Sequence, residues 1–180
     1  MDPLFLIKKY YDEESRSYKL LVEHSVLVAE KALSIAQGVP HLNPDIQFIA
    51  EAAMLHDIGM YRTYFPQLDC FGDDPYICHG HHGRELLEKE GLPRHALVCE
   101  RHTGSGLSLS EIIERDLPLP KRNMNPVSVE EEIICLADTF FSKTNTPLSR
   151  EKTIHEVRNS LKKYGDLQVK KFDMLCKKYL

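Results

Sequence analysis

"NPDIQFIAEAAMLHDIG" (residues 43–59) decides the fold class. Its apolar positions recur every three to four residues, the period of a helix with one buried face. Asn43 is placed to cap that helix and Pro44 to open it, because a proline in the first turn gives up an N–H that has no helical partner anyway. Gly59 closes it. Ile49, Ala52 and Ala53 precede His56 on a similar face, so the histidine is carried inward with Asp57 beside it. Burying such a pair costs free energy unless hydrogen bonds or opposite charge compensate it.

The same period runs through the rest of the chain. "SYKLLVEHSVLVAEKALSIAQG" (17–38) sets Leu20, His24, Leu27, Val28 and Ile35 near one face, and Gly38 and Pro40 stop it. A short segment is expected near 3–12, and helices over 79–90 and 94–102, the first ended by Gly91 and Pro93. "SVEEEIICLADTFFSK" (128–143) starts with a capping-box pattern, Ser128 and Glu131. It aims Asp138 inward with Ile134, Cys135 and Phe141. Two helices near 149–164 and 166–179 complete the set. With no alternating strand pattern and no internal repeat, the expectation is an all-α helical bundle and one domain over residues 1–180. The connections 60–78 and 103–127 are long enough to be functional, and the first carries five aromatics.

Composition narrows the function. The chain is 42% hydrophobic and 28% charged with net charge −4, which offers no general attraction to nucleic acid or anionic membranes. "MDPLFLIKKYYDEES" holds only four consecutive apolar residues before two lysines, too few for a signal core or a membrane span. The five cysteines are scattered without a C-x-x-C pair, so a reducing cytoplasm is the expected compartment. Six of the nine histidines fall between His56 and His102.

A lone inward histidine is more often a hydrogen-bonded core residue than a ligand, and a lone inward aspartate is often half of an ion pair. Here three helices aim His24, His56 with Asp57, and Asp138 inward together. A divalent cation supplies the charge such a group needs, and imidazole with carboxylate suits zinc, iron, manganese, cobalt or nickel. These residues resemble the H…HD…D signature of the HD superfamily of metal-dependent phosphohydrolases. "HDIG" (56–59) matches letter for letter, with His24 lying 32 residues upstream and "LAD" (136–138) far downstream. The resemblance spans about residues 20–145 and leaves the C-terminal helices, about 149–179, outside. It implies a helical bundle with the metal held between helices.

"HGHHG" (79–83) and "RHTG" (101–104) extend the resemblance to two-metal HD proteins. It implies that His79 and His102 hold a second ion, with Asp57 bridging both. Arg101 stands where cyclic-dinucleotide phosphodiesterases of the HD-GYP group carry a histidine, and the GYP tripeptide is absent. The "HT-G" form looks like the HD group that hydrolyses diadenosine tetraphosphate. The run from "RHTGSG" through "LPLPKR" to "EEEIICLAD" looks most like a group of small uncharacterised HDIG proteins.

The function expected from this set is metal-activated water attacking a nucleotide or a related small phosphoester or phosphoanhydride. Asp57 and Arg101 are the expected catalytic residues. Arg101 is read as an anion clamp, whose surface alternative is a pair with Glu100 or Glu111. Arg62, His82 and Arg84 are expected at the substrate. The lysine that many relatives carry after HDIG is Met60 here. Tyr61, Tyr64, Phe65, Phe71 and Tyr76 are either a stacking platform for a base or a satellite apolar cluster. His41, His95 and His155 are assigned to the surface. The lysine pairs 162/163, 170/171 and 177/178 are assigned to the solvated side of amphipathic helices whose apolar side holds Leu161, Tyr164, Phe172, Leu175 and Tyr179. Homo-oligomerisation stays open. Two other readings stand beside hydrolysis: a di-iron oxygenase using the same donors, and a non-catalytic binder of metal and nucleotide.

Overall fold

The computed structural model describes residues 1–144 and 147–180. Among these residues nine α-helices follow in order: α1 (Pro3–Ile7), α2 (Arg16–Gly38), α3 (Ile46–Leu55), α4 (His79–Lys89), α5 (Pro93–Arg101), α6 (Leu109–Glu114), α7 (Val129–Thr139), α8 (Ile154–Lys162) and α9 (Asp166–Tyr179). The fold is an all-α bundle. Among the described residues no helix is long and apolar enough to cross a membrane.

Helices α2, α3 and α7 meet through small residues. Ala32, Ala36, Ala52, Ala53 and Ala137 are all buried there, so the backbones approach closely while Val28, Ile35, Ile49, Ile133 and Ile134 fill the remaining space. Phe172, Leu175 and Tyr179 of α9 and Leu161 of α8 close the far side of this core. A second core gathers Ile7, Tyr11, Leu21, Leu55, Ile58, Met60, Leu87 and Cys99. His24 lies between Leu21 of the second core and Val28 of the first. His56 and Asp57 lie between Ala53 of the first and Ile58 of the second. The polar residues thus sit along the seam between two apolar clusters.

Three helix starts differ from the sequence expectation. Asn43 adopts a left-handed conformation (φ 49°) at the end of a 3₁₀ turn, Pro40–Leu42, and does not cap α3. Asn tolerates that region better than most residues. The cap is Asp45, whose Oδ1 accepts the Phe48 N–H at 3.0 Å. At α7 the Ser128 hydroxyl accepts the Glu131 N–H at 3.2 Å, but the Glu131 carboxylate does not return the bond. It binds Arg101 and the Val127 N–H instead. Helix α8 starts only at Ile154, where Thr153 and Glu156 form a complete capping box.

The aromatic connection after α3 is ordered by short elements. A 3₁₀ turn (Ile58–Arg62) leads into a small sheet in which β1 (Thr63–Phe65) pairs antiparallel with β2 (Cys70–Phe71) and parallel with β3 (Asp74–Pro75). Strands this short carry no readable alternation in the sequence. Tyr11 anchors the turn by donating to the Ile58 carbonyl at 3.0 Å and accepting the Tyr61 N–H at 3.0 Å.

Close backbone contacts bring α4 onto this turn. A Cβ on Gly59 would lie 2.2 Å from the Gly83 nitrogen and 2.3 Å from the His79 oxygen. One on Gly80 would lie 2.4 Å from the Cys99 oxygen of α5. The glycines of "HDIG" and "HGHHG" therefore set the spacing among the Asp57 turn, α4 and α5. Gly59→Ala should destabilise the fold by at least the upper part of the 1–3 kcal/mol range, about 3 kcal/mol, because backbone cannot move aside as a side chain can. Gly38→Ala, whose Cβ would meet nothing within 4 Å, should be neutral or slightly stabilising. Urea unfolding of the two variants measures the contrast.

Candidate metal centre

Each helix end delivers its histidine in the same way. His56 caps the C-terminus of α3, His102 caps that of α5, and His79 follows the 3₁₀ turn Tyr76–Cys78. In each case Nδ1 lies against the carbonyl three residues earlier: Ala53 at 2.6 Å, Cys99 at 2.8 Å and Tyr76 at 2.6 Å. Carbonyls at a helix end need a donor, and an Nδ1–H supplies one. That bond orients the ring and leaves Nε2 facing the centre, the arrangement of a metal-ligating histidine.

The Nε2 atoms converge in two pairs. His24 and His56 approach to 3.3 Å, and His79 and His102 to 3.1 Å. Asp57 is fully buried between them. Its Oδ2 lies 3.3 Å from His24 and 2.9 Å from His56, while its Oδ1 lies 3.2 Å from His79 and 3.4 Å from His102. Asp138 closes the first pair, with Oδ1 at 2.9 Å from His24 and 3.5 Å from His56. The donor atoms form two groups that could each hold a metal ion: His24, His56, Asp57 and Asp138, and Asp57, His79 and His102. Asp57 is common to both.

The donors fit divalent metal. Both Asp57 oxygens are buried without a hydrogen bond in good geometry. Such a carboxylate is costly without a cation. Burial opposes the charge on Asp57, yet His56 and Lys143 hold its carboxyl well below the usual range. Burial also opposes a proton on His56, but the carboxylates of Asp57 and Asp138 outweigh it and push the ring up to about 10. A proton and a metal ion therefore compete for the same His56 nitrogen.

Lys143 is the functional candidate that sequence reading missed. It lies beyond the end of α7, five residues after Asp138, and no helical period points it anywhere. Its Nζ stands 2.6 Å from Asp57 Oδ2, largely buried. Tyr76 stacks on His79 with ring centroids 4.6 Å apart and 22° between planes, and Phe65 packs near Tyr76 at 4.9 Å. These residues line a cavity of about 360 Å³ over the centre, with His102 and Asp138 at its floor.

Four sequence expectations are corrected because Arg62, His82, Arg84 and Arg101 are not among the residues lining the cavity over the centre, and each faces a partner elsewhere. Arg101 lies on α5 with one guanidinium nitrogen, Nη1, donating to both carboxylate oxygens of Glu131 of α7, at 2.9 and 3.0 Å. It ties two helices together, and its partner is neither Glu100 nor Glu111. Arg62 pairs with Glu85 at 2.9 Å. Arg84 binds Glu88 and the buried Glu100, which also receives Arg122. His82 faces Asp74 at 2.8 Å. Two further assignments change. His95 is buried against Phe48 (4.8 Å) and near Glu51, not on the surface. Tyr164 is 59% exposed and leaves the apolar side of its helix pair. Of the loop aromatics, Tyr64 and Phe71 are exposed and Tyr61 packs on Tyr11, which leaves Phe65 and Tyr76 beside the centre.

The HD domain family model matches residues 21–141. The chain belongs to the HD-domain family. Among similar proteins, the uncharacterized protein MJ0778 of Methanocaldococcus jannaschii is 33% identical over 127 residues, covering 69% of this chain and 68% of that protein. Proteins described as tRNA (cytidine(56)-2'-O)-methyltransferase are similar too. The Thermoplasma volcanium protein is 33% identical and the Picrophilus torridus protein 32% identical, each over 68% of this chain and 32% of its own length. The chain thus spans about a third of the length of those two proteins. The HD domain of the phosphodiesterase PgpH from L. monocytogenes shares the fold, with a TM-score of 0.55 and 18% identity over 94% of each chain.

Two outcomes follow from this geometry. Metal uptake near pH 7 should release protons and tighten as pH rises, because His56 holds its proton up to about 10. Calorimetric titration in buffers of different ionisation enthalpy measures the release. Arg101→Ala should lower stability by roughly 1.5–3 kcal/mol, the range for a charged hydrogen bond, while bound metal stays at the wild-type level. A combined melting and metal-content assay distinguishes this from a role at the centre.

Proposed function

We propose that this HD domain is a two-metal phosphohydrolase acting on a nucleotide by in-line attack of water. One observation carries the reading: Asp57 divides its two oxygens between two converging histidine pairs. Bound ions would supply Lewis acidity and an ionised water nucleophile, the chemistry of a dinuclear phosphoesterase centre. His24, His56 and Asp138 are the proposed holders of the first ion, and His79 and His102 of the second.

The remaining tasks fall to other side chains. Lys143 reaches the cavity with a charge that its carboxylate neighbours stabilise against the cost of burial. From there its ammonium can neutralise a substrate phosphate oxygen, a role left open by the buried Met60 after the HDIG motif. Tyr76 holds the His79 ring by stacking and, pushed above its ordinary phenol range by burial, keeps its proton. Next to His79 and Thr103 opens a mostly apolar slot of about 360 Å³ lined by Ile77, Leu107, Tyr164 and Gln168. A flat ring such as a nucleobase suits it, with Tyr164 as a face to stack on.

The test is phosphate release from a nucleotide panel under anaerobic conditions with manganese, cobalt or nickel. Turnover without oxygen supports hydrolysis, whereas oxygen consumption without phosphate release would replace this reading with an oxygenase. Asp57→Ala should abolish turnover and most metal binding while helical circular dichroism persists. His102→Ala should bring the metal content from about two ions toward one. Lys143→Ala should lower kcat/KM about 10-fold or more, the loss of one charge-assisted contact, with metal content retained.

A further inference from the structure

The cavity over the metal centre does not end at Lys143. Past Asp138, Ser142 and Gly104 it continues into a groove of about 820 Å³ between the end of α7 and the face of α8. Arg150, Lys152 and Lys163 line that groove, together with Asn159 and Ser160. All five lie beyond residue 141, where the HD family match ends.

The charges there are not balanced. Two carboxylates line the groove with the three cations: Asp138, which belongs to the metal centre, and Glu156, which is committed to the start of α8, accepting the Thr153 N–H at 2.8 Å and the Thr153 hydroxyl at 3.1 Å. Glu156 also receives Arg150, in a pair with both side chains well exposed, 49% and 38%. Such pairs are weak, so an incoming multivalent anion can recruit that guanidinium. Lys152 is half-buried, its ammonium donating to the Thr139 carbonyl at 3.0 Å. Lys163 makes no ion pair among the described residues. An excess of one sign of charge along a cleft concentrates counter-ions of the other sign. The lysine pair 162/163 therefore divides: Lys162 is exposed outside the groove, while Lys163 lines it.

The far wall is held in register with the centre. Gln168 of α9 accepts the Ser105 N–H and donates to the Gly106 carbonyl, both at 2.8 Å, pinning the loop that follows His102. Tyr164, between α8 and α9, lines the groove, the central cavity and the apolar slot alike.

We propose that the groove formed by Arg150, Lys152 and Lys163 binds a second anionic group of the substrate, so that the favoured substrate is a nucleotide with a diphosphate or longer phosphate chain. This rests on the phosphohydrolase reading, because the groove opens into the centre that would hold the reacting phosphorus. The two C-terminal helices then serve as a specificity element added to the HD core. A phosphate at the metals places its neighbour toward Asp138 and the cationic groove, and the ring lies on the opposite side of Tyr164.

The experiment compares binding of methylenediphosphonate, a non-hydrolysable diphosphate, with binding of inorganic phosphate. Calorimetry is done on the full chain loaded with manganese, with manganese in excess in every arm. Wild type should bind the diphosphonate more tightly than phosphate. The double variant R150E/K163E should weaken diphosphonate binding at least 10-fold while phosphate binding changes less than about 3-fold. Equal loss for both ligands, or no loss for either, would overturn the proposal, as would a wild type that does not distinguish them. Both positions are exposed; if melting nevertheless shows the double variant to be unstable, K163E alone carries the same comparison. Selective loss of diphosphonate binding in a protein that hydrolyses no phosphoester would keep the anion groove and remove the hydrolase reading. Hydrolysis by wild type with no selective loss in the variants would remove the groove alone.

Discussion

Asp57 carries a negative charge in the seam between two apolar cores, and the rest of the architecture can be understood as managing that charge. A buried carboxylate costs several kcal/mol unless cations or donors surround it. Here the surroundings are four imidazoles in two pairs and one lysine ammonium, with Asp138 adding a second negative charge. Nitrogen atoms at 3.1–3.3 Å across each pair would repel if both presented lone pairs, a repulsion that a hydrogen shared between them or a metal ion bound by both would relieve. The protein therefore has a standing affinity for positive charge at two neighbouring points. Ligand binding to such a centre is also folding free energy, because the unfolded chain does not assemble it.

Holding four rings and a carboxylate at these distances demands a rigid frame, and the frame is built from close backbone contact. Alanines let α2, α3 and α7 approach from one side. On the other side Gly59 and Gly80 bring α4 against the Asp57 turn and α5 at separations no side chain would permit. Three of the four histidine rings, His56, His79 and His102, are then locked by the carbonyls three residues earlier, so little of their rotamer freedom remains to be lost when a ligand binds. The same turns that end the helices thus orient the donors. Cation pairs farther out, Arg101 with Glu131 and Arg84 and Arg122 with Glu100, join α5 to α7, to α4 and to the 103–127 connection without entering the centre.

Cationic residues divide into those that brace and those that face the cavity. The arginines nearest the motifs, Arg62, Arg84 and Arg101, brace. Those lining the cavity over the centre and the groove beyond it, Lys143, Arg150, Lys152 and Lys163, come from the end of α7 onward. That segment lies at or past the edge of the family match, so substrate preference can vary there without disturbing the donors.

The sequence by itself determined the helical class, the inward direction of His24, His56, Asp57 and Asp138, and the family resemblance of "HGHHG" and "RHTG". Helical period and helix-end residues are local, and a side chain's face follows from spacing within one element. Tertiary structure decided the partners. Arg101 ends a helix whose neighbour presents Glu131, and nothing within "RHTG" encodes that contact. Lys143 reaches Asp57 across 86 residues of chain from a segment without periodicity, and His95 is covered by Phe48 only because α3 and α5 pack together. The Asn43 start failed for a local reason: asparagine is suited both to a cap and to a left-handed turn, and Asp45 two residues on took the cap. Charge pairing between elements depends on which surfaces meet, and that is set by the packing of the whole core.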